Sequence, residues 1–581
     1  PYETDDRLYR AGGLTGPFTL LRVQQDGGNS VLWEPFTAEA TPTPVMRNLY
    51  KSLTGDTVVF EETRDDLGLT FRYRWSTSAE YGFVRTSTLL RNRTSAPTRI
   101  ELLDGILNVM PANVPLGLQQ SSSTLAEAYR RNEVDRATSM AIYSLEARIS
   151  DRAEPAESLH ANIVWSVGLP NASVVLAADA IADFRKRHPL QEERLTKGTR
   201  GHYLLNATVE LDSEAALSWL IVGDVHQTQL SVQSRRAQLL RETNLVDSIV
   251  ADIGRGSDRL QSLIAMADGE QCTDDLLATT HHFANTLFNC MRGGVFVDNG
   301  SVTVADLVRF IEHRNHAVHR THAAWLASLG EVIDRRELLT RAAQQNDPDL
   351  ERLCHEYLPL TFSRRHGDPS RPWNMFAINV QDDDGNQVLD YQGNWRDIFQ
   401  NWEALCYSFP VYLESIVAKF VNASTVDGFN PYRVTRDGID WEAPDPENPW
   451  SNIGYWGDHQ IIYLLRLLEG LDAFDSDALP RMLNREVFSY ADVPYRIRPY
   501  DAILRNSKST IDFDRSRDAE ISDRTAIVGS DGRLVMNDEG TVLHVTLAEK
   551  LLVPALAKLG NLIVDGGIWM NTQRPEWNDA N

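Results

Sequence analysis

Asp390-Tyr-Gln-Gly-Asn-Trp-Arg-Asp-Ile-Phe-Gln-Asn-Trp-Glu403 carries a change of periodicity. Val388, Leu389 and Tyr391 read as a short extended piece that breaks at Gly393. Asn394 then stands where a helix N-cap belongs, because Ile398, Phe399, Trp402, Leu405 and Tyr407 follow at helical spacing. Trp395, Arg396 and Asp397 fall in the first turn, where backbone N–H groups have no intrahelical acceptor. An indole, a cation and an anion placed there form a polar site, or else the solvated start of an ordinary helix.

The same change of period divides the whole chain. Before it, apolar residues alternate with polar ones in short runs at 18–23, 57–62, 69–75, 83–90, 99–107, 141–149, 161–168, 173–177, 203–211 and 217–222, separated by Gly, Pro, Asn, Asp and Ser. That pattern predicts an N-terminal antiparallel β-sandwich over 1–226, interrupted by a charged loop-like or helical insertion at 124–136. From residue 227, Leu230, Leu239, Leu240, Leu245, Ile249, Ile253 and Leu260 recur at helical spacing, which predicts a helical linker over 227–270. Helices are then expected at 273–291, 304–327, 335–343, 349–358, 395–421, 458–471 and 546–562. Runs of strands followed by runs of helices indicate domains of different class, the last being 271–581.

With 581 residues the chain can bury a large core. Lys and Arg number 57 against 81 Asp and Glu, a net charge of −24, so phosphate backbones and anionic membranes are disfavoured as partners. No apolar run reaches membrane-spanning length. Cys272, Cys290, Cys354 and Cys406 lie far apart without metal-ligand spacing, and buried reduced thiols are the expectation. No leader is visible, which favours the cytoplasm.

Of 13 tryptophans, Trp373, Trp395, Trp402, Trp441, Trp450, Trp456, Trp569 and Trp577 lie after residue 370, many beside Asn, Asp, Arg or Gly. Indoles at loop-to-helix junctions suit stacking on a sugar face, with neighbouring polar groups bonding hydroxyls. Asp382-Asp383-Asp384-Gly385-Asn386 lacks the closing glutamate of a calcium loop and reads as a hairpin turn. The stretch from Asp427 to Gln460 is dense in Asn, Asp, Trp and Tyr. It delivers Asp458 to the start of an apolar helix, either as its cap or as an acceptor for a substrate hydroxyl.

Gly393-Asn394-Trp395-Arg396-Asp397, Gly454-Tyr455-Trp456-Gly457-Asp458-His459 and Glu576-Trp577-Asn578-Asp579, set behind a β-sandwich and a helical linker, resemble the cellobiose-phosphorylase family of inverting glycoside phosphorylases. The resemblance implies a β-sandwich of the supersandwich type followed by a six-hairpin (α/α)6 barrel. That family continues past the position of Asn581, so the expected barrel is incomplete at its C-terminal side. By the same resemblance Asp579 is the catalytic acid, with Glu576 the next acid to test. Trp577 lines the sugar site and Arg396 holds hydroxyls, with Trp395, Asp397, Asn401, Trp456 and Asp458 as further substrate-binding residues. The family places a carboxylate where Asn401 stands. The implied reaction is phosphorolysis of a β-linked glucoside or related oligosaccharide to a sugar 1-phosphate. Inorganic phosphate is the co-substrate, with no other cofactor and no metal, and a homodimer is implied. Hydrolysis or glycosyl transfer on the same barrel, and a non-catalytic carbohydrate-binding relative, are the alternatives.

Overall fold

A computed structural model describes residues 13–25, 28–37, 43–92, 97–150, 156–366, 377–382, 386–446, 454–455, 457, 460–506, 510–560 and 562–568. The chain divides into two compact units, Pro1–Gln261 and Ser262–Asn581.

The described strands of the first unit are β1 (Gly16–Gln24), β2 (Ser30–Trp33), β3 (Met46–Lys51), β4 (Val58–Arg64), β5 (Leu69–Ser78), β6 (Gly82–Arg91), β7 (Thr98–Val109), β8 (Arg130–Asp135), β9 (Met140–Leu145), β10 (His160–Val167), β11 (Ser173–Val175), β12 (Leu195–Lys197), β13 (Gly201–Leu211) and β14 (Ala216–Thr228). They form a five-stranded sheet in the order β11-β13-β7-β1-β2 and a nine-stranded sheet in the order β12-β8-β9-β10-β14-β6-β5-β4-β3. Every neighbouring pair is antiparallel.

Alternation along the strands aims one face of each sheet at a common core. Leu21, Leu102 and Leu205 of the smaller sheet meet Phe71, Leu89, Tyr143 and Trp219 of the larger. The outer faces are covered too. Val232 and Ile249 of helices Gln229–Arg241 and Leu245–Met266 pack on Trp165 and Val222, and Phe184 of helix Asp179–Lys186 packs on Leu20 and Leu103. The stretch expected as a helical linker is thus occupied by helices, and part of it is sheet cover. The expected insertion at 124–136 departs from its reading. Arg130–Asp135 is strand β8 between β9 and β12, because Arg130 and Asn132 face inward while Arg131 and Glu133 pair on the outside.

A fully buried ion pair lies inside this unit. Asp104 accepts from Arg85 Nη1 and Nη2 at 3.0 and 2.9 Å, from Thr19 Oγ1 at 2.6 Å, from Ser87 Oγ at 2.9 Å and from Trp219 Nε1 at 2.8 Å. A carboxylate in an apolar core persists only when its lone pairs are all engaged. Trp219→Phe, which removes one donor and keeps most of the ring, is expected to cost about 1.5–3 kcal/mol, the range for a hydrogen bond to a charged group. Urea denaturation followed by circular dichroism of the β-rich unit measures it.

In the second unit the segment after helix Leu276–Gly293 closes on itself. Val295–Phe296 pairs antiparallel with Leu360–Thr361, bringing its two ends together. Between them lie helices Val304–Arg314, His316–Ala327, Arg335–Ala343 and Pro348–Glu356 and the pairing of Ser301–Thr303 with Val332–Asp334. One core cluster, from Val302 through Leu307, Phe310, Ile311, Leu338 and Leu353 to Tyr357, is drawn wholly from this segment. The reading of 271–581 as one helical domain did not separate it.

Two expected helices are broken. The run 304–327 is interrupted at Asn315, whose backbone is extended (φ −150°, ψ 101°) and whose Oδ1 accepts from the Ala317 and Val318 N–H groups, capping the second helix. The run 395–421 is two helices, Trp395–Cys406 and Leu413–Asn422, with a 3₁₀ turn at Pro410–Tyr412. Proline disfavours helical backbone at the residue before it, so the chain turns at Phe409. Gln381 bridges Gln387 antiparallel, and the Asp382 N–H donates to Asn386 O at 2.9 Å, as two arms of a hairpin require; its tip lies outside the described residues. Cys290, Cys354 and Cys406 are buried and Cys272 is exposed, and burial pushes the Cys290 thiol up to about 12. Among the described residues no helix is long and apolar enough to cross a membrane.

Candidate functional site

Gln392–Asn394 is an edge of a three-stranded antiparallel sheet with Arg433–Thr435 and Gly438–Asp440. The chain passes directly from Asn394 into helix Trp395–Cys406. Gly393 is required at this junction, because a Cβ there would lie 2.5 Å from Ile398 Cδ1. The Trp395 N–H donates to Tyr432 O at 3.0 Å, which ties the first helical turn to the loop before the second strand.

Trp395 is only 2% exposed. Its ring packs against Phe399 at 5.6 Å and Phe420 at 4.6 Å between centroids. Its Nε1 donates at 2.7 Å to the Asn430 side-chain amide, whose oxygen is oriented toward the indole. One wall of the ring belongs to a cleft of about 10 Å³, the space of about one water, shared with Phe420, Ser424, Gly428, Asn430, Gly457, Lys550 and Lys558. Gly428 sits at φ +78°, and a Cβ there would come 2.9 Å from Ala557 Cβ, so loop and helix Leu547–Leu559 touch backbone to side chain. Lys550 is 0% exposed. Its Nζ donates to Ser424 O at 3.1 Å and sits 3.5 Å from the Tyr490 ring centroid, and burial pushes the ammonium well below its usual pKa.

The structure therefore brings the Trp395 helix start together with Gly457. Trp456, Asp458, Glu576, Trp577 and Asp579 themselves lie outside the described residues, and Arg396 is placed in its helix by backbone alone. Asp397 is half-buried in the first turn, and burial, then Glu403 and Asp397, push the half-buried Tyr463 phenol upward. Asn401 does not line the Trp395 cavity. It is 2% exposed and its Nδ2 donates to Asn289 Oδ1 at 2.8 Å on helix Leu276–Gly293. Of the tryptophans expected to line a ligand, Trp402 is wholly buried. It donates to Gly293 O at 2.7 Å and packs on Tyr391 and Phe399, because its face of the helix is covered by helix Leu276–Gly293. Trp441 is part-buried, donates to Asp518 Oδ1 at 2.8 Å and lies under the Arg533 guanidinium.

Helix Leu413–Asn422, which contributes Phe420 to the cavity, carries a buried ionic cluster elsewhere along its length. Glu356 receives Arg314 Nη1 at 2.8 Å, Arg352 Nη1 at 3.3 Å and Asn422 Nδ2 at 2.7 Å, with Lys419 Nζ 3.9 Å away. Asp531 receives Arg314 at 2.9 Å, Arg352 at 2.5 Å and Asn315 Nδ2 at 3.3 Å. Burial alone would raise the Glu356 carboxyl, and Arg314, then Arg352 and Lys419, more than offset it, holding it at about 2. Burial, then Arg314, push Lys419 down to about 7 against the pull of Glu356.

Lys419 gives a pH prediction whose sign is fixed by the order of its two pKa values. Folded Lys419 titrates near 7 and unfolded lysine near 10.5, so between those values the unfolded chain binds more protons. Stability contributed at this position rises as pH goes from about 7 to about 10.5. Lys419→Met should flatten that rise in melting temperature, measured by scanning calorimetry against the wild type. Sequence reasoning missed this cluster. Its one local sign is Arg352 and Glu356 at helical i, i+4 spacing, a pairing common on solvated helices. Among the described residues no group of three or more His, Cys, Asp or Glu side chains could hold a metal ion.

Residues 296–359 match the family profile described as Glycoside hydrolase family 149 insertion domain 1. These are the residues that carry the self-contained core and whose ends are paired. No curated protein matches the chain. Among solved structures, a bacterial glucoamylase complexed with acarbose is similar at a TM-score of 0.30 and 11% identity, covering 70% of this chain and 53% of that one. A family GH92 α-mannosidase from Bacteroides thetaiotaomicron is similar at 0.26 and 8% identity, covering 89% and 53%. A protein assigned as a kojibiose phosphorylase, from human microbiome, is similar at 0.27 and 8% identity, covering 78% and 55%. The chain spans about half the length of these structures, and TM-scores this low establish no shared fold.

Proposed function

We propose that the protein is a carbohydrate-active enzyme that cleaves a glycosidic bond with inversion on a six-hairpin (α/α)6 barrel, by phosphorolysis of a β-linked glucoside or related oligosaccharide. The observation that carries this reading is the match of 296–359 to an insertion domain of a glycoside hydrolase family, in a chain that also holds Glu576-Trp577-Asn578-Asp579. Asp579 donates its carboxyl proton to the glycosidic oxygen as the bond to the anomeric carbon breaks. A phosphate oxygen attacks that carbon from the opposite face, giving an inverted sugar 1-phosphate. One carboxyl suffices, since phosphate arrives already anionic, whereas inverting hydrolysis needs a second carboxylate to activate water. Arg396, in the first turn of its helix, suits the sugar hydroxyls.

Hydrolysis is the second reading, because the matched family is named for hydrolases. The two separate on one assay. Release of a sugar 1-phosphate from β-linked oligosaccharides only when inorganic phosphate is supplied establishes phosphorolysis, and release of free sugar irrespective of phosphate establishes hydrolysis. Oligosaccharide binding with neither product would overturn both.

A further inference from the structure

A second cavity of the helical unit, of about 360 Å³, lies where the segment 296–359 meets the rest of that unit. That size falls within the roughly 300–1,000 Å³ of small-molecule sites. Helix Arg335–Ala343 and His355 form one side, and Glu414, Phe474, Asp475, Arg481 and Arg485 the other. In a chain of net charge −24, four guanidinium groups and an imidazole gather here.

The carboxylates do not engage all of them. Arg481 is held by Asp475 at 2.8 Å and Glu414 at 3.4 Å, and Arg485 is paired with Glu351. Arg335 donates through Nη2 to Ser415 Oγ at 2.7 Å and stands 3.9 Å from Glu414, but its buried Nε has no acceptor. His355 Nε2 is 3.7 Å from Glu351, and its buried Nδ1 has no partner. The Arg336 guanidinium makes no ion pair among the described residues and rests over the Phe474 ring, 5.8 Å from its centroid. A buried donor without an acceptor is costly and calls for one. Arg335 Nε and His355 Nδ1, on two helices, are the buried atoms left without a partner, and with the exposed Arg336 guanidinium beside them they suit a group with several oxygens pointing in different directions. A tetrahedral phosphate provides that, and arginine forks suit it. Leu339, Leu471, Met482 and Phe488 supply an apolar floor for the body of the molecule.

We propose that this cavity binds a small phosphate monoester, separately from the Trp395 site. The inference does not depend on whether the protein cleaves glycosides. Isothermal titration of the wild-type protein with glucose 6-phosphate, which is neither substrate nor product of the proposed phosphorolysis, tests it, with glucose and sulfate as comparisons. Arg336→Ala, at an exposed position, should weaken ester binding by about 10–100-fold, as expected for loss of a charge-assisted contact. Thr340→Trp, from an exposed position on the same helix, should abolish binding by filling the cavity. Arg396→Ala should leave it intact while impairing any turnover. Absence of ester binding at millimolar ligand, equal binding of glucose or sulfate, or affinities unchanged in both cavity variants would overturn the proposal.

Discussion

Asp579→Asn should lower kcat by about 10²–10⁴-fold in a preparation active on its oligosaccharide, the usual contribution of a positioned general acid. Asparagine keeps the shape and hydrogen-bonding reach of the carboxyl but has no proton to give to the leaving oxygen. The loss should therefore sit in kcat, with KM nearly unchanged. Steady-state kinetics on the wild type and variant measure this directly. Arg396→Ala should behave differently, raising KM and lowering kcat together, because hydroxyl contacts that position the ring strengthen toward the transition state. If Asp579→Asn retains its kcat, the acid lies elsewhere, and Glu576 is the next position to replace.

Asp531→Asn should destabilise the helical unit by about 3–5 kcal/mol, the range for removing one partner of a buried ion pair. Asparagine fills the same space, so no cavity contributes. What remains is Arg314 and Arg352 side by side in the interior, sharing Glu356, with Asp349 on Arg352 alone. The urea midpoint of the helical unit reports the loss. Hydrogen exchange in helices Val304–Arg314 and Pro348–Glu356 should rise with it, since both hold their arginines against Asp531. A shift under 1 kcal/mol would mean that water or Asn315 already compensates the guanidiniums. Replacing charge by apolar volume on both sides, as in Arg352→Met with Asp531→Leu, should cost less than the single change.

The division of the chain into a β-rich part and a helical part was legible because it depends on period alone. Leu69, Phe71 and Tyr73 alternate and Ile398, Phe399 and Trp402 recur at helical spacing, and each pattern follows from backbone geometry within a few residues. The helix start at Trp395 was legible for the same reason. The breaks at Asn315 and before Pro410 are also local, but apolar spacing continues across both and hides them.

What local pattern cannot supply is the partner that covers each face. Trp402 and Asn401 lie beside Trp395 in sequence and carry the same mixture of polar neighbours. Helix Leu276–Gly293 buries both, while Trp395 reaches a cavity made with Asn430, Gly457 and Lys550. The enclosed core of 296–359 needs Val295 and Phe296 to meet Thr361 and Leu360. The bond from Arg314 to Asp531 spans 217 residues. By itself the sequence determined the order of strands and helices, the acidic charge and the residue types able to do the chemistry, since these are properties of single residues and short spacings. Tertiary structure alone decided which charges are buried together, which indoles are walls and where cavities open, because desolvation and packing act between segments that only folding brings into contact.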